Sequence, residues 1–388
     1  MTNEKWKMNA GKSFPRICHL GKYYPPARGG METHVQALAR GQAELGAQVL
    51  VYCVNHLPGP AVEERDGAVE VRRFRRLASI AKLDLCAGLA KAIGKAKVDL
   101  FHVHVPNPNM ILAVLRAAPE APIVVTYHSD HIRQRLSAAL FRPLERWFYR
   151  RVKTIVVTSA AYLEGSSFLQ TYTERTQVIP LGIDLKPFLE PSRQSLALAE
   201  KLRARHPPPL WFACGRLIYY KGLEHAIRAL PQVPGTLLIV GEGPERARLE
   251  AEARRLGVED RALFLGDQPF ETVVALYHAA LTFWFPSNAR SEGFGMVQVE
   301  AMASGCPVIN THIPGSGVDW VSRHEETGLS VPMNEPAALA AAANRLLQEP
   351  GLRERFSAAA RERARTEFDH RVMAERTLKV YREVLARG

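Results

Sequence analysis

The sequence predicts an α/β fold made of two similar domains, each with a mostly parallel sheet. The chain has 388 residues, a length that suits two domains better than one. Apolar residues make up 47% of the chain, which is enough for two cores. In both halves, short apolar runs alternate with segments of helical periodicity, as expected where helices connect parallel strands.

The first half alternates strands and helices from residue 16 onward. Its strands are predicted at residues 16–20, 47–54, 69–74, 100–105, 122–127 and 154–158. Its helices are predicted at residues 31–45, 80–93 and 132–153, the last of them kinked or split at Pro143. Residues 1–14 are expected to be a frayed tail.

The second half repeats this pattern after a proline-containing stretch. Its strands are predicted at residues 210–214, 237–240, 262–265, 281–287 and 308–310. Its helices are predicted after residues 222 and 244 and at residues 271–280, 294–304, 337–347, 352–367 and 368–385. We therefore expect a first domain at residues 1–187, a linker at 188–208, a second domain at 209–367 and a final helix at 368–388.

The composition narrows the classes of partner and compartment. The net charge is +12, so we expect an anionic partner: a nucleic acid, an anionic lipid or a phosphorylated substrate. The five cysteines are scattered and form no CxxC pair, which indicates a reduced compartment without a zinc site. No apolar run reaches the roughly 18 residues of a membrane span, and residues 1–7 lack the apolar core of a signal peptide.

The segment of residues 291–307 carries two carboxylates eight positions apart, Glu292 and Glu300. Glycines follow the first, helix-forming residues surround the second, and Gly305 with Pro307 ends the helix. Glu292 is thus predicted in a loop at the carboxyl end of a buried strand, where open α/β sheets bind ligands. Glu300 is predicted about two turns inside the helix. By spacing alone, one capping and one solvated glutamate explain the pattern equally well.

Two further loops carry groups suited to phosphates. Arg216 and Lys221 lie five positions apart in a glycine-bounded loop after a strand, where two cations can bind a diphosphate. Gly29 and Gly30 precede a helix whose N-terminus can admit a phosphate, although the fingerprint G-x-G-x-x-G is absent. Solvated cations and a tight turn are the simpler explanations of these two features.

Two features of the first half have open interpretations. His128 follows a predicted strand, where a lone histidine is more often structural than functional. Residues 132–153, the basic segment, hold seven cations against one acid, Glu145, beside an apolar stripe. A basic amphipathic helix of this kind either binds a membrane surface or packs its apolar face on a core, and composition favours neither.

The segment 291–307 resembles the Glu-x7-Glu motif of the retaining glycosyltransferases of glycosyltransferase family 4. The Gly29-Gly30 loop, His128 after its strand, and the loop of Arg216 and Lys221 are similar to further motifs of that family, in the same order. The resemblance covers about residues 15–385. It implies the GT-B fold, in which two Rossmann-like domains with mostly parallel sheets face each other across a cleft, and the last helix crosses back to the first domain.

The resemblance also implies roles for the residues that match. His128 and Glu292 would be catalytic: His128 would position the donor sugar, and Glu292 would stabilise charge that develops on it. Arg216 and Lys221 would hold the donor diphosphate, Glu300 would accept hydrogen bonds from the ribose hydroxyls, and Gly29 and Gly30 would lie near the phosphates and the acceptor. The remaining contacts to the nucleotide sugar would come from Gly293, Phe294, Gly295, Met296 and Val297.

The resemblance favours GDP-mannose as the donor, with UDP-glucose and UDP-N-acetylglucosamine as alternatives. The acceptor is expected to be a glycan or a lipid-linked glycan of a bacterial surface polysaccharide. No cofactor and no metal are expected, because D-x-D is absent from the chain. The sugar configuration would be retained by same-face attack or by double displacement through Glu292. An enzyme of this sort would be cytoplasmic and peripheral on the inner face of the membrane, which the basic segment would contact.

Three other classes compete with this interpretation. A dehydrogenase would need the missing glycine fingerprint. A GT-B epimerase would convert the nucleotide sugar without an acceptor, so incubation of the donor alone separates it from a transferase. A nucleic-acid-binding protein would explain the charge, but zinc-finger, RNP and helix-turn-helix signals are lacking, and no nucleic-acid partner is expected.

Overall fold

A computed structural model describes residues 14–27, 29–80, 83–129 and 135–387. The described part of the chain contains sixteen strands. They are β1 (Arg16–Leu20), β2 (Gln48–Val54), β3 (Val62–Asp66), β4 (Val69–Phe74), β5 (Arg76–Ile80), β6 (Leu83–Cys86), β7 (Leu100–Val105), β8 (Ile123–Tyr127), β9 (Val152–Val157), β10 (Thr176–Val178), β11 (Leu210–Cys214), β12 (Thr236–Val240), β13 (Ala262–Gly266), β14 (Thr282–Phe285), β15 (Val308–His312) and β16 (Gly328–Pro332).

Sixteen α-helices alternate with these strands along the described residues. They are α1 (Gly30–Glu44), α2 (Leu89–Lys95), α3 (Pro108–Ala117), α4 (Arg135–Arg151), α5 (Ala160–Gly165), α6 (Ser167–Gln170), α7 (Lys186–Leu189), α8 (Arg193–Arg205), α9 (Leu223–Ala229), α10 (Arg246–Arg255), α11 (Phe270–Ala279), α12 (Met296–Ala303), α13 (Val318–Val321), α14 (Pro336–Gln348), α15 (Leu352–Glu367) and α16 (His370–Ala386).

The strands form two large sheets and one hairpin. The first sheet has the order β10-β9-β8-β7-β1-β2-β4-β3, and the second has the order β13-β12-β11-β14-β15-β16. Strand β3 pairs with β4 in antiparallel fashion, and β5 and β6 form the antiparallel hairpin. In the first sheet β1 runs parallel to β2 and β7, β2 to β4, and β9 to β10. All five strand pairs of the second sheet are parallel. The predicted α/β fold with two mostly parallel sheets is confirmed.

Contacts divide the chain into two compact units. The first unit takes the chain up to Thr126, residues 136–154 and the chain from Ala374 onward. The second unit takes residues 127–135 and 155–373. Within the first unit, the Tyr381 hydroxyl of α16 lies 2.5 Å from a ring nitrogen of His102 on β7, and it accepts a hydrogen bond from Gln42 of α1 at 3.2 Å.

The second sheet is buried on both faces, which explains why its strands are almost continuously apolar. Along β11, Leu210 and Phe212 belong to one buried cluster, whereas Trp211 and Ala213 belong to another. Trp211 stacks on Trp284 of the neighbouring strand β14, with ring centroids 5.1 Å apart. Burying a large apolar side chain stabilises a fold by about 1.5–3 kcal/mol, so these layers hold the strand ends in fixed positions.

Residues 80–93 do not form the single helix that their periodicity predicts. They contain the end of β5, strand β6 and the first residues of α2. The cause is long-range hydrogen bonding around the buried Asp84. Its carboxylate accepts a hydrogen bond from the Tyr23 hydroxyl at 2.9 Å, and its backbone N–H donates to the Asn109 side chain at 3.1 Å. Neither contact is visible in the local sequence.

The structure adds detail to two other predicted segments. The predicted linker, residues 188–208, is helical over most of its length because Ser192 caps α8 by accepting a hydrogen bond from the Ser195 N–H at 3.1 Å. The predicted helix of residues 132–153 is described from Arg135 onward and is not split, since α4 runs through Pro143. Pro143 is exposed, so the carbonyl that loses its partner can face water. Residues 1–13 and 130–134 lie outside the described residues.

The structure also bears on membrane insertion. None of the helices among the described residues combines the length and the apolar character needed to cross a bilayer.

Candidate active site

The candidate site lies at the carboxyl edge of the second sheet. From β11 the sheet grows towards β12 and β13 on one side and towards β14, β15 and β16 on the other. The loops that follow β11 and β14 therefore diverge where the strand order reverses, which is where open α/β sheets bind ligands. The predicted diphosphate loop follows β11, and the segment of residues 291–307 follows β14.

Helix α12 holds the two predicted carboxylates as the sequence indicates. Glu292 lies in the loop before the helix, and Glu300 lies inside it. Gly295 precedes the helix with φ of 77°, and a Cβ there would come within 2.7 Å of the Phe285 ring, so only glycine fits. The helix ends at Gly305 as predicted, in a Schellman-type turn where the Cys306 N–H donates to the Ala301 carbonyl at 2.9 Å.

Lys221 and Glu292 form an ion pair between the two loops. The Lys221 ammonium donates to the Glu292 carboxylate at 2.5 Å, and only 14% and 11% of the two side chains are exposed. The ammonium also lies 4.9 Å from the centre of the Phe285 ring. The structure thus places Lys221, which is predicted to bind the diphosphate, in direct contact with Glu292, which is predicted to be catalytic.

Arg216 differs from Lys221 in its environment. Its side chain is exposed, and among the described residues it forms no hydrogen bond or ion pair given by the structure. The backbone around it is held in place, since the Gly215 N–H donates to Val240 at 3.0 Å and the Leu217 N–H donates to Glu242 at 2.9 Å. An exposed guanidinium on a fixed loop suits an anionic ligand that approaches from solvent.

Glu300 receives a hydrogen bond from the Tyr277 hydroxyl of α11 at 2.9 Å. Although its side chain is partly exposed, burial among protein atoms raises the pKa of Glu300 to about 7, and the Tyr277 hydrogen bond opposes that rise. The nearby Cys214 thiol, at the end of β11, is neutral because burial raises its pKa to about 12. Glu300 can therefore change its charge near neutral pH.

Two hydroxyl groups and one backbone N–H hold the loop of Glu292 in place. The Ser316 hydroxyl donates to the Glu292 carbonyl at 2.5 Å, and the Gly317 N–H donates to the Gly293 carbonyl at 3.0 Å. The Ser287 hydroxyl donates to the Glu292 carboxylate at 3.3 Å. The carboxylate is thus oriented before any ligand arrives, as electrostatic catalysis requires.

His128 follows the last residue of β8, as predicted. Its backbone carbonyl lies close to Gly293, where an added Cβ would be 3.3 Å from the carbonyl oxygen. The His128 side chain is partly exposed, and burial by surrounding protein lowers its pKa to about 4. The imidazole is therefore neutral at pH 7 and suited to bind hydroxyls rather than to act as a cation.

Gly29 and Gly30 lie in the first unit, at the start of α1. The Thr33 N–H donates to the Gly29 carbonyl at 3.0 Å. The carboxylate of Glu32 lies against Gly29, within 2.1 Å of the position that a Cβ would take. A carboxylate at this place suits a ligand hydroxyl better than a phosphate.

The other predicted contacts surround the start of α12. Phe294 is buried, and its ring meets the Phe368 ring edge-on at 5.7 Å. Met296 and Val297 open the helix, whose first-turn N–H groups lack intrahelical acceptors and carry the positive end of the helix dipole. These N–H groups can bind oxygen atoms of a sugar or a phosphate.

A histidine cluster in the first unit could hold a metal by residue type. His19, His102 and His104 are buried on the neighbouring strands β1 and β7. Their nitrogens already have partners, however. His19 contacts His104 at 3.1 Å and Gln42 at 2.8 Å, and His102 contacts Tyr381 at 2.5 Å and Thr126 at 2.7 Å. A hydrogen-bond network that ties β1 and β7 to α16 accounts for this cluster.

The basic segment contributes both buried and exposed groups. Phe148 and Tyr149 of α4 are buried, whereas Trp147 is 53% exposed. The described cations divide in the same way: Arg151 donates to the Pro119 carbonyl at 2.7 Å, and Arg142, Arg146, Arg150 and Lys153 are exposed. Arg133 lies outside the described residues. Helix α4 therefore packs one face in the first unit and presents a basic face with an exposed indole.

Sequence reasoning missed Tyr277, Ser287 and Ser316, which hold the two glutamates in place. Each acts through one hydroxyl group: those of Tyr277 and Ser287 contact the carboxylates, and that of Ser316 contacts the backbone carbonyl of Glu292. The only sequence signal was that polar residues occur within otherwise apolar segments, as Tyr277 does in α11.

Comparisons with known proteins assign the chain to a family. The family profile "Glycosyltransferase Family 4" matches residues 28–187, and the profile "Glycosyl transferases group 1" matches residues 196–363. The D-rhamnosyltransferase WbpZ of Pseudomonas aeruginosa is 35% identical over 356 residues, which cover 91% of this chain and 92% of the relative. The O-antigen chain mannosyltransferase C of Escherichia coli is 29% identical over 369 residues, covering 94% and 96%.

Solved structures agree on the fold. The sucrose-phosphate synthase of Thermosynechococcus elongatus has a TM-score of 0.77 at 24% identity and covers 96% of this chain and 100% of its own. Anabaena HepE, solved with UDP and glucose, has a TM-score of 0.75 at 23% identity and covers 95% and 100%. With these sequence and structural matches, the chain belongs to the GT-B glycosyltransferases of family 4 and carries a group 1 glycosyltransferase domain at residues 196–363.

Proposed function

We propose that the protein transfers a hexose, with retention of configuration and without a metal, from a nucleotide diphosphate sugar to a glycan or lipid-linked glycan of a surface polysaccharide. GDP-mannose is the favoured donor. The observation that carries the proposal is the ion pair of Lys221 and Glu292 at the point where the strand order reverses, with Glu300 on the helix that follows. The names of the two sequence relatives, a rhamnosyltransferase and a mannosyltransferase of O-antigen, support the sugar class and the product class.

The donor would lie along the edge formed by β11 and β14. Its diphosphate would contact Arg216 and Lys221, since two cations on one loop match two phosphates. The ribose hydroxyls would donate to the Glu300 carboxylate, and the sugar would lie beside Glu292 and the neutral imidazole of His128. This arrangement of diphosphate, ribose and sugar follows from the positions of the loops that carry the contacting groups. It requires no movement of the sheet.

The reaction breaks the bond between the anomeric carbon of the sugar and the phosphate oxygen, and it forms a bond from that carbon to the acceptor oxygen. In same-face attack, the acceptor proton passes to the departing phosphate. Lys221 and Arg216 would stabilise the negative charge on the diphosphate, and Glu292 would stabilise positive charge on the sugar. In double displacement, the Glu292 carboxylate would first bond to the anomeric carbon as the diphosphate leaves. The acceptor oxygen would then displace Glu292, and its proton would pass to the departed diphosphate.

Binding of the donor would change the partner of Lys221. In the structure its ammonium neutralises Glu292 at 2.5 Å. A diphosphate carries more charge than one carboxylate, so it would draw the ammonium towards itself. Glu292 would then be left as an unneutralised carboxylate beside the sugar, where a developing cation gains the most from it.

The first test is a panel of nucleotides followed by a transfer assay. We expect GDP to raise the melting temperature more than UDP or ADP at equal concentration, because binding at about 100 times Kd stabilises a protein by about 2.7 kcal/mol. Transfer from GDP-mannose to a mannan-type acceptor should proceed fully in excess EDTA, and NMR should show the donor's anomeric configuration in the product.

Each contrary outcome of this test has a definite meaning. A larger rise in melting temperature with UDP than with GDP would indicate that the donor is UDP-glucose or UDP-N-acetylglucosamine. Loss of activity in EDTA that Mg²⁺ restores would refute the metal-free mechanism, and an inverted product would refute retention. Conversion of the donor without an acceptor would show an epimerase.

We also propose a cytoplasmic enzyme that is peripheral on the inner, anionic face of the membrane, through the exposed face of α4. The face is formed by Arg142, Arg146 and Arg150 at one-turn spacing with Trp147 beside them. Each cation near an anionic surface contributes about 1 kcal/mol, and an exposed indole suits the interface between headgroups and hydrocarbon.

The vesicle experiment follows from this face. The protein is expected to sediment with anionic vesicles at low salt but not with neutral ones, and added salt should release it because charges are screened over about 8–10 Å. The triple variant R142E/R146E/R150E should lose sedimentation and keep nucleotide binding. As a control with the same charge change, R193E/K201E/R205E alters exposed cations of α8. Equal loss in both triple variants would mean that net charge alone, and not this face, drives attachment.

A further inference from the structure

Tyr277 contacts Glu300 through a single hydroxyl group that has two acceptors. The hydroxyl oxygen lies 2.9 Å from the Glu300 carboxylate and 3.2 Å from the Val297 carbonyl. A phenol has one proton to donate and lone pairs with which to accept. The hydroxyl can therefore donate to the carboxylate, or donate to the carbonyl and accept a proton from a protonated Glu300.

The ring of Tyr277 leaves the hydroxyl little freedom. The residue is 1% exposed, and its ring meets Phe212 edge-on with centroids 4.9 Å apart. Phe283 and Phe188 lie against it at 5.4 and 6.1 Å. Because packed aromatic rings hold defined positions, the hydroxyl is a fixed point on which the flexible Glu300 side chain can be oriented.

The protonated and the ionised forms of Glu300 are close in free energy near neutral pH. Burial raises its pKa to about 7, and the hydrogen bond from Tyr277 opposes the rise. Cys214 of β11 also interacts with Glu300, and its thiol is neutral near pH 7 because burial raises its pKa to about 12. Burial also raises the pKa of Tyr277 well above its usual value, so its hydroxyl remains a donor throughout the physiological range.

We infer that Tyr277 is a positioning residue for the donor: its hydroxyl orients the Glu300 carboxylate and, by changing acceptor between Val297 and Glu300, allows Glu300 to exchange between a neutral acid and a carboxylate when the site is empty and to be a carboxylate when a ribose is bound. This inference rests on the proposed contact between Glu300 and the ribose hydroxyls. Tyr277 itself touches neither the sugar nor the phosphates.

The proton balance is simple. In the protonated form of the empty site, the Glu300 acid donates to the Tyr277 oxygen, and the Tyr277 hydroxyl donates to the Val297 carbonyl. When ribose hydroxyls arrive, the acid proton leaves to solvent, and the carboxylate accepts hydrogen bonds from the ribose and from Tyr277. Nucleotide binding should therefore strengthen as the pH rises through about 7.

The test measures the Kd of GDP and of UDP between pH 5.5 and 9 by calorimetry, at roughly half-unit steps, for the parent, Y277F and E300Q. In the parent, affinity should rise with a midpoint near 7. E300Q should bind weakly and lose this midpoint; the dependence that remains belongs to the second ionisation of the terminal phosphate, near pH 6. Y277F should bind about tenfold more weakly at pH 7, the scale of one hydrogen bond to a charged group.

Two further readouts separate positioning from folding. In Y277F the midpoint should move to higher pH, because the hydroxyl that favours the ionised form is gone, and the donor KM should rise while kcat stays within about twofold. 3-Fluorotyrosine at position 277, a stronger donor of similar size, should move the midpoint to lower pH. The control Y381F removes another buried tyrosine hydroxyl, in the first unit, and should leave Kd and midpoint unchanged.

Three results would contradict the inference, and each would overturn a different part of it. A Kd that E300Q does not change, or a parent that binds neither nucleotide, would overturn the ribose contact and this inference with it. A Kd that responds to E300Q, with Y277F showing the parental Kd and midpoint, would overturn the role of Tyr277 alone. A Y277F protein with fewer binding sites and a lower melting temperature, but the parental midpoint, would show that Tyr277 only supports the fold.

Discussion

Replacing Lys221 with alanine is expected to lower kcat/KM by about 30- to 1000-fold, the equivalent of about 2–4 kcal/mol of transition-state stabilisation. In the proposed reaction, charge builds on the diphosphate as its bond to the sugar breaks, and Lys221 on the loop after β11 would neutralise it. Arg216→Ala should have an effect of similar size, since it removes the second cation of that loop. Steady-state kinetics with the donor varied at saturating acceptor measures both.

Lys221→Ala has a second consequence, because Glu292 loses the cation that lies 2.5 Å away. Only 9% of Glu292 is exposed, and an uncompensated carboxylate in such a place costs about 1–3 kcal/mol of folding stability. K221A/E292Q should therefore regain stability without regaining activity. The control R345A removes a cation of α14 that pairs with Glu325 and Glu349 and should keep activity within about twofold. Activity of K221A within threefold of the parent would end the diphosphate assignment.

Changing the two carboxylates is expected to separate binding from turnover. Glu300→Ala should raise the donor KM by tenfold or more, since hydrogen bonds to a charged acceptor contribute about 1.5–3 kcal/mol each. Glu292→Gln should instead lower kcat by about 10²–10³, the effect of removing one preorganised electrostatic group. Its donor KM should not rise, because Lys221 is then free of its ion pair and can bind the diphosphate fully.

These variants contradict the assignment if their effects are exchanged. An unchanged donor KM in Glu300→Ala would argue against the ribose contact, and a parental kcat in Glu292→Gln would argue against charge stabilisation at the sugar. Glu354→Gln, at an exposed carboxylate of α15, is a control that should change neither parameter.

Much of this site follows from local sequence. Gly295 and Gly305 bound helix α12 because each adopts a left-handed conformation, so the places of Glu292 and Glu300 could be predicted from glycine spacing and helical residues alone. The alternation of strands and helices likewise predicted both parallel sheets, because burial on two faces demands apolar runs. The loop of Arg216 and Lys221 was placed by the same reasoning.

The rest depends on contacts between distant residues. Helix periodicity over residues 80–93 failed because Asp84 bonds to Tyr23 and Asn109. The ion pair of Lys221 and Glu292 joins residues 71 positions apart, and which of several cations would meet Glu292 was not encoded locally. Tyr277 was taken only as part of an apolar helix, since nothing in its neighbours reveals that its hydroxyl points at Glu300.

The most direct measurement is a crystal structure of the protein soaked with the nucleotide diphosphate that binds most tightly. It should show the ribose hydroxyls within hydrogen-bond distance of the Glu300 carboxylate and the diphosphate on Arg216 and Lys221, with the ammonium of Lys221 moved away from Glu292. A nucleotide bound elsewhere, or a diphosphate at this edge with Lys221 still paired to Glu292 and the ribose remote from Glu300, would contradict the account.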